Sequence, residues 1–170
     1  MATIPATQNF LAGERVTAAK LNRATRDPID FLMNPPRAKI TSAATQSVAL
    51  TNEPYATFDT ELYDNDGMWN PAAPTLLTIK TPGYYSVVGT FGFANNATGY
   101  RRLSIYVNGT LIASNMSPAI AANMYMSCSQ VAYFRANDTA SMRLVQNSGA
   151  ALNAVVSAHT PTLTVQWLGL

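Results

Sequence analysis

Four of the nine acidic residues fall within one short stretch, FDTELYDNDGMW at residues 58–69: Asp59, Glu61, Asp64 and Asp66. Two chemistries use carboxylates this closely spaced. Asp64-Asn65-Asp66-Gly67 offers the oxygen ligands and the sharp glycine turn of a calcium loop, with Asp59 and Glu61 as further ligands. A calcium loop of that type also needs a closing glutamate about six residues past the glycine, and Pro71 to Pro74 stand there instead. A catalytic carboxylate pair needs partners that this stretch does not supply. The third reading is structural: Asp-Asn-Asp-Gly is ordinary turn chemistry, in which side chains accept from nearby backbone N–H groups. The expectation is an edge strand followed by a turn and no bound metal, with the four acids kept as calcium candidates.

The other reactive side chains are single. His159 is the one histidine and Cys128 the one cysteine, so no intrachain disulfide can form. Nothing around either completes a nucleophile–base–orienter set. His159 reads as a surface or interface residue and Cys128 as a small buried one. The glycines are scattered, so no phosphate-binding loop is present. Gly89 and Gly92 sit inside a strand pattern and predict a bulge or a close backbone approach. The chain is therefore expected not to be an enzyme and to carry no cofactor.

The 170 residues suit one domain with an appendage. Apolar residues make up 48% and charged ones 12%, with Thr, Ser, Asn and Gln filling the difference, as in an all-β protein. A net charge of +2 gives no reason to expect nucleic acid. No apolar run approaches a membrane span. MATIPATQNF lacks the charged and apolar regions of a secretory signal, which predicts synthesis and retention in a cytosol. The four Asn-x-Ser/Thr sequons, at Asn96, Asn108, Asn115 and Asn137, then read as turn chemistry, not glycan sites.

These residues need elements to position them, and the chain divides into two kinds. Residues 1–36 are apolar and basic: Phe10, Leu11, Arg15, Leu21, Arg23, Arg26, Ile29, Phe31 and Leu32 all lie here. Thr17 caps one short helix, Asp27-Pro28 starts another turn, and Pro35-Pro36 ends it. The segment is too apolar for a free tail and too short for its own core, so it must lie on something. Residues 37–170 show strand patterns at about 38–50, 55–59, 75–80, 84–93, 101–108, 110–115, 123–134, 139–147, 151–157 and 161–168, with an Asn108-Gly109 hairpin of type I′. Alternation gives each strand two sides. Tyr85, Val87, Phe91, Phe93, Leu103, Ile105, Val107, Leu163, Val165 and Trp167 form the predicted core. Tyr84, Ser86, Val88, Thr90, Ser104 and Tyr106 fall opposite, and that mixture of tyrosine, valine and small polar groups predicts a self-association face with Tyr84, Ser86, Val88 and Tyr106 at its seam.

The order of these pieces resembles the C1q/tumour-necrosis-factor-like jelly roll. LLTIKTPGYYSVVGTFGF is similar to that family's Pro-Gly-Tyr-Tyr strand. LSIYVNGTLIAS, SCSQVAYF, SMRLVQNSG and TLTVQWLGL follow in the family's order. Ala136-Asn137 departs from it, standing where glycine is usual. FLAGERVTAAKLNRATRDPIDFLMNPPRA resembles the N-terminal segment of tailed-bacteriophage virion proteins. Together the resemblances imply an all-β, C1q/TNF-like sandwich of about ten strands with a short, partly helical arm, assembled as a homotrimer. They imply a bacteriophage virion structural protein made in the host cytoplasm and displayed on the particle's outer surface. Its role would be capsid decoration or cementing, with the arm docked on the major capsid protein or a tail protein. The alternative they leave is a tail fibre or tail-tip adhesin that binds host-surface glycans through Trp69, Tyr100 and Tyr125.

Overall fold

A computed structural model describes residues 2–50, 53–157 and 159–170. Two helices come first, α1 (Ala18–Ala24) and α2 (Arg26–Met33). Eleven strands follow among the described residues: β1 (Arg37–Thr41), β2 (Ser47–Val48), β3 (Thr60–Asp64), β4 (Leu76–Thr78), β5 (Gly83–Phe93), β6 (Tyr100–Val107), β7 (Thr110–Pro118), β8 (Met124–Phe134), β9 (Thr139–Gln146), β10 (Leu152–Asn153) and β11 (Thr162–Gly169). Neither helix is long and apolar enough to cross a membrane.

The strands form a two-layer sandwich. One sheet has the order β3-β1-β11-β5-β8, and the other has the order β4-β9-β6-β7, with the short pair β10-β2 as a third piece. All pairings in these sheets are antiparallel. Tyr85, Val87, Phe91, Phe93, Leu163 and Val165 from the first sheet meet Leu103, Ile105, Met142 and Leu144 from the second, all buried. Burial alternates along β5 and β11, as a strand with one buried face requires.

Turn chemistry closes the layers. Asn108 and Gly109 both take positive φ, 49° and 78°, and join β6 to β7 as a type I′ hairpin. Asn137 takes φ 72°, so it fills the left-handed position where the family's glycine was expected. Gly89 and Gly92 mark close approach, not a bulge, because β5 and β8 pair without a register shift. A Cβ at Gly89 would lie 2.8 Å from Met142 Sδ across the sandwich.

Three strand expectations are corrected. The segment 38–50 splits into β1 and β2, because Asp59 takes the amide hydrogens of Ala43 and Ala44 and draws the chain off the sheet. Residues 55–59 form no strand of their own. Residues 54–56 instead flank β9, with the Ala56 amide donating to Met142 O (2.9 Å) and Leu144 N donating to Pro54 O (3.0 Å). Of 151–157, only β10 is regular.

The strand directions give the sandwich two ends. At one end the arm meets the loops before β4 and β5. At the other, Arg101, only 1% exposed, gathers the loop before β6 by donating to the carbonyls of Asn96, Thr98 and Tyr100. Burial lowers the pKa of that guanidinium, and the three carbonyls compensate part of the lost hydration.

Candidate functional site

The outward face of the first sheet carries the expected tyrosine side. Register places Tyr84 opposite Tyr133, Ser86 opposite Val131, Val88 opposite Ser129 and Thr90 opposite Ser127. The Tyr84 and Tyr133 rings meet edge to face at 5.3 Å. Tyr84, Tyr133 and Val131 are 47%, 49% and 53% exposed, which leaves half of each ring or branch uncovered. Strands β11, β5 and β8, consecutive in the sheet, contain no charged residue. Charge-depleted, aromatic surface of this kind is characteristic of the centre of interfaces. Tyr133 and Val131 were not singled out from the sequence, although the alternation of MYMSCSQVAYF against Met126 and Cys128 marks them.

Tyr106 does not join this face. It lies on β6 in the second sheet and is 8% exposed. Its hydroxyl donates to Glu53 (2.8 Å), and the Arg143 guanidinium stacks between its ring and that of Tyr55. Arg102 also pairs with Glu53. Tyr106 belongs to a strap that holds residues 53–56 on the second sheet. The expected set is thereby reduced to Tyr84, Ser86 and Val88.

The arm packs at the end of the sandwich where β5 begins. The Thr17 hydroxyl accepts the Lys20 amide hydrogen, so α1 starts at the expected cap. Phe31 turns inward and meets the Trp167 ring edge to face at 4.9 Å. It is therefore a bolt between α2 and β11, unlike the docking residue expected of it. Asn65 fastens the same junction: its side chain donates to Asn34 and Pro35 and accepts the Arg37 amide hydrogen. The Ala2 amide donates to Asp66, and the Thr81 hydroxyl donates to Ala2 O (3.0 Å). Seven other large apolar side chains of the arm face outward: Phe10, Leu11, Val16, Leu21, Ile29, Leu32 and Met33 are all exposed. Arg15 and Arg23 are exposed, and Arg26 pairs with Asp27 and Asp30.

The acidic cluster resolves into turn chemistry. Asp59 binds backbone at Ala43 and Ala44. Asp64 accepts from the amides of Asp66 (3.0 Å) and Trp69 (2.8 Å). Glu61 lies on β3, the exposed edge strand. Among the described residues no group of three potential acidic, histidine or cysteine ligands gathers. Asp59, Asp64 and Asp66 turn their oxygens to different stretches of backbone, so the calcium geometry raised for these acids is not assembled among the described residues.

Cys128 and His159 lie on opposite sides of the first sheet. Cys128 faces the core beside Gly89, where burial pushes its thiol pKa up. His159 stands outside, its ring 4.6 Å from that of Tyr125. Tyr125 and His159, together with Lys39, Thr90, Ser127 and Thr162, border an open cleft of about 470 Å³ on the outward face, at the end away from the arm. Trp69 and Tyr100, grouped with Tyr125 from the sequence, do not border it.

Among solved structures, the chain is similar to the globular domain of a zebrafish complement 1qA protein, with TM-score 0.59 and 13% identity over 78% of this chain and 97% of that one. The C1q/TNF-like jelly roll is this chain's fold. Murine APRIL matches the same jelly roll with TM-score 0.63 and 11% identity, over 78% of this chain and 98% of its own. At such identities the likeness concerns the fold alone. No family model matches the sequence. An uncharacterised protein of Acanthamoeba polyphaga mimivirus is 35% identical over 82 residues, 44% of this chain. The chain covers only about a third (35%) of that relative's length.

Proposed function

We propose that the chain is a structural subunit of a viral particle, a jelly-roll knob that forms a homotrimer and is held to the particle by its N-terminal arm. The observation carrying this reading is the uncharged face of β5, β8 and β11 with Tyr84, Val131 and Tyr133 half exposed on it. Three copies meeting through the arm-side half of that face would cover these side chains. Burying one such side chain contributes roughly 1.5–3 kcal/mol. The fold supports the trimer, since C1q/TNF-like domains associate in threes, and the mimivirus relative supports a viral setting. The bacteriophage assignment rests on the resemblance of the arm.

The arm supplies the attachment. Its exposed Leu11, Leu21, Ile29 and Leu32 give apolar contact, and Arg15 and Arg23 orient it on an acidic surface of a capsid or tail protein. Three arms acting together raise the avidity well above that of one. A compact knob on a short arm fits shell decoration or cementing. The second reading, a tail adhesin for host-surface glycans, is favoured by the cleft beside Tyr125 at the end away from the arm. Neither reading involves catalysis.

Light scattering on the purified protein tests the seam. The expected mass is three chains, and Tyr84→Asp with Val131→Asp should reduce it to one. A wild-type mass of one chain would remove the trimer. Counting copies in intact particles separates the two roles: tens to hundreds for decoration, a few in multiples of three for an adhesin.

A further inference from the structure

We propose that the cleft at the end of the knob away from the arm binds a carboxylate-bearing saccharide. This deepens the adhesin reading and rests on it, while standing apart from the trimer seam. The cleft's volume, about 470 Å³, lies within the range of small-ligand sites and accommodates one or two sugar rings.

Its lining is of three chemical kinds. The first is aromatic. The Tyr125 ring is fixed from two sides, edge to face with His159 at 4.6 Å and close over Gly92. A Cβ at position 92 would lie 2.9 Å from the tyrosine ring, so only glycine lets the ring lie this close. A fixed ring offers an apolar plane for the C–H face of a sugar without a further loss of side-chain entropy.

The second is a group of hydroxyls. Thr90 and Thr162 share one hydrogen bond at 2.7 Å across β5 and β11, and Ser127 stands beside them on β8. Each hydroxyl both donates and accepts, which matches the hydroxyls of a polyol. The third is a single cation. Lys39 on β1 makes no hydrogen bond or ion pair among the described residues, so its ammonium is available to a ligand.

The balance of these groups selects the ligand. A phosphate is usually held by several cations or by converging backbone N–H groups. One lysine beside neutral hydroxyls suits one carboxylate on an otherwise neutral polyol. The placement agrees. Tyr125 pairs with Gly92 while Tyr84 pairs with Tyr133, eight residues away along β5, or about 26 Å at ~3.3 Å per residue. The far residue of the seam, Val88, is two places or about 7 Å short of Thr90 at the near border of the cleft, so a seam confined to the arm-side half leaves Tyr125 and His159 uncovered.

Isothermal titration of the full chain with a galacturonic acid trisaccharide tests the site, with a galactose trisaccharide as the neutral comparison. The acidic sugar is expected to bind saturably and about tenfold tighter than the neutral one. Lys39→Gln should abolish that preference and leave neutral-sugar binding intact. Tyr125→Ala should weaken both about tenfold. Unchanged thermal unfolding of each variant verifies that it folds. No binding of either sugar, equal affinity for both, or binding of the acidic sugar untouched by Lys39→Gln overturns the proposal. Light scattering on the same samples keeps the cleft and the seam separate. Binding by a single-chain species removes the seam and leaves the cleft, and a trimer that binds neither sugar does the reverse.

Discussion

The carboxylate of Asp59 receives the amide hydrogens of Ala43 (3.0 Å) and Ala44 (2.9 Å) and the hydroxyl hydrogen of Thr60 (2.7 Å). All three bonds favour the charged form. The Ala43 bond contributes most, followed by Thr60 and then Ala44, and together they hold the Asp59 pKa below its ordinary value. A depressed folded-state pKa fixes the sign of the pH effect. The stabilisation is fully present above the unfolded value of about 3.9 and is lost as pH falls through the folded value. Asp59→Asn should therefore lower Tm at neutral pH and flatten the decline of Tm on acidification below about pH 4. Wild type and variant declining in parallel would show that the bonds do not persist in solution. The acid was legible in the sequence as a turn-forming group, but its two backbone partners were not. They lie 15 and 16 residues earlier in the chain, and only the fold brings them near. Tyr106 teaches the same at the other sheet. Alternation assigns a side chain to one side of its strand, and it cannot say which sheet that strand joins. Tyr84 and Tyr106 have equivalent patterns and lie in different layers.

At the level of elements, the strands with long alternating runs were the legible ones: β5, β6, β8 and β11 lie close to their expected bounds. A one-residue slip in any of them would send its apolar set to the wrong face, so pattern and register reinforce one another. Short pieces such as β2 and β10 are set by tertiary hydrogen bonds. The Gln146 side chain donating to Val48 O (3.0 Å) is one of these, and nothing local announces it. The arm was legible as an apolar segment that must lie on something. Its inward contact was not, because α2 offers Ile29, Phe31, Leu32 and Met33 and the sequence does not say which of them meets Trp167. Phe31 does, with Trp167 Nε1 held by Pro82 O at 3.1 Å. Edge-to-face pairs contribute about 0.5–1.5 kcal/mol beyond their area. Phe31→Ala should then loosen α2 more than the sandwich. Trypsin should cut sooner at Arg23 and Arg26, while the main unfolding transition moves by only a few degrees. Unchanged cleavage would mean that the contacts of Asn65 and Ala2 secure the arm without the Phe31 ring.

The whole molecule has a polarity that follows from the antiparallel layout. One end holds the arm, Trp167 and Asp66; the other holds the Arg101-centred loop and the cleft; the uncharged face runs between them. This arrangement separates attachment from self-association in space, and a truncation can separate them in experiment. Removing residues 1–34 retains Pro36, whose carbonyl accepts the Trp167 amide hydrogen at 2.9 Å, so β11 keeps its terminal anchor. The cost is the Phe31 ring on Trp167, the hydrogen bonds of Asn65 to Asn34, and the Ala2 contacts with Asp66 and Thr81. Losses of that kind amount to about 2–4 kcal/mol, from one aromatic pair with its buried area and a few hydrogen bonds. The truncated chain should still fold, with a Tm lower by several degrees. It should keep its wild-type oligomeric mass, since Tyr84, Val131 and Tyr133 lie outside the deletion, and it should fail to join particles when supplied in place of the full chain. Incorporation at wild-type level would remove the arm as the anchor, and a fall to single-chain mass would place part of the seam within the arm. The two readouts are independent because the exposed apolar residues of the arm and the tyrosine pair of β5 and β8 belong to different elements and different surfaces.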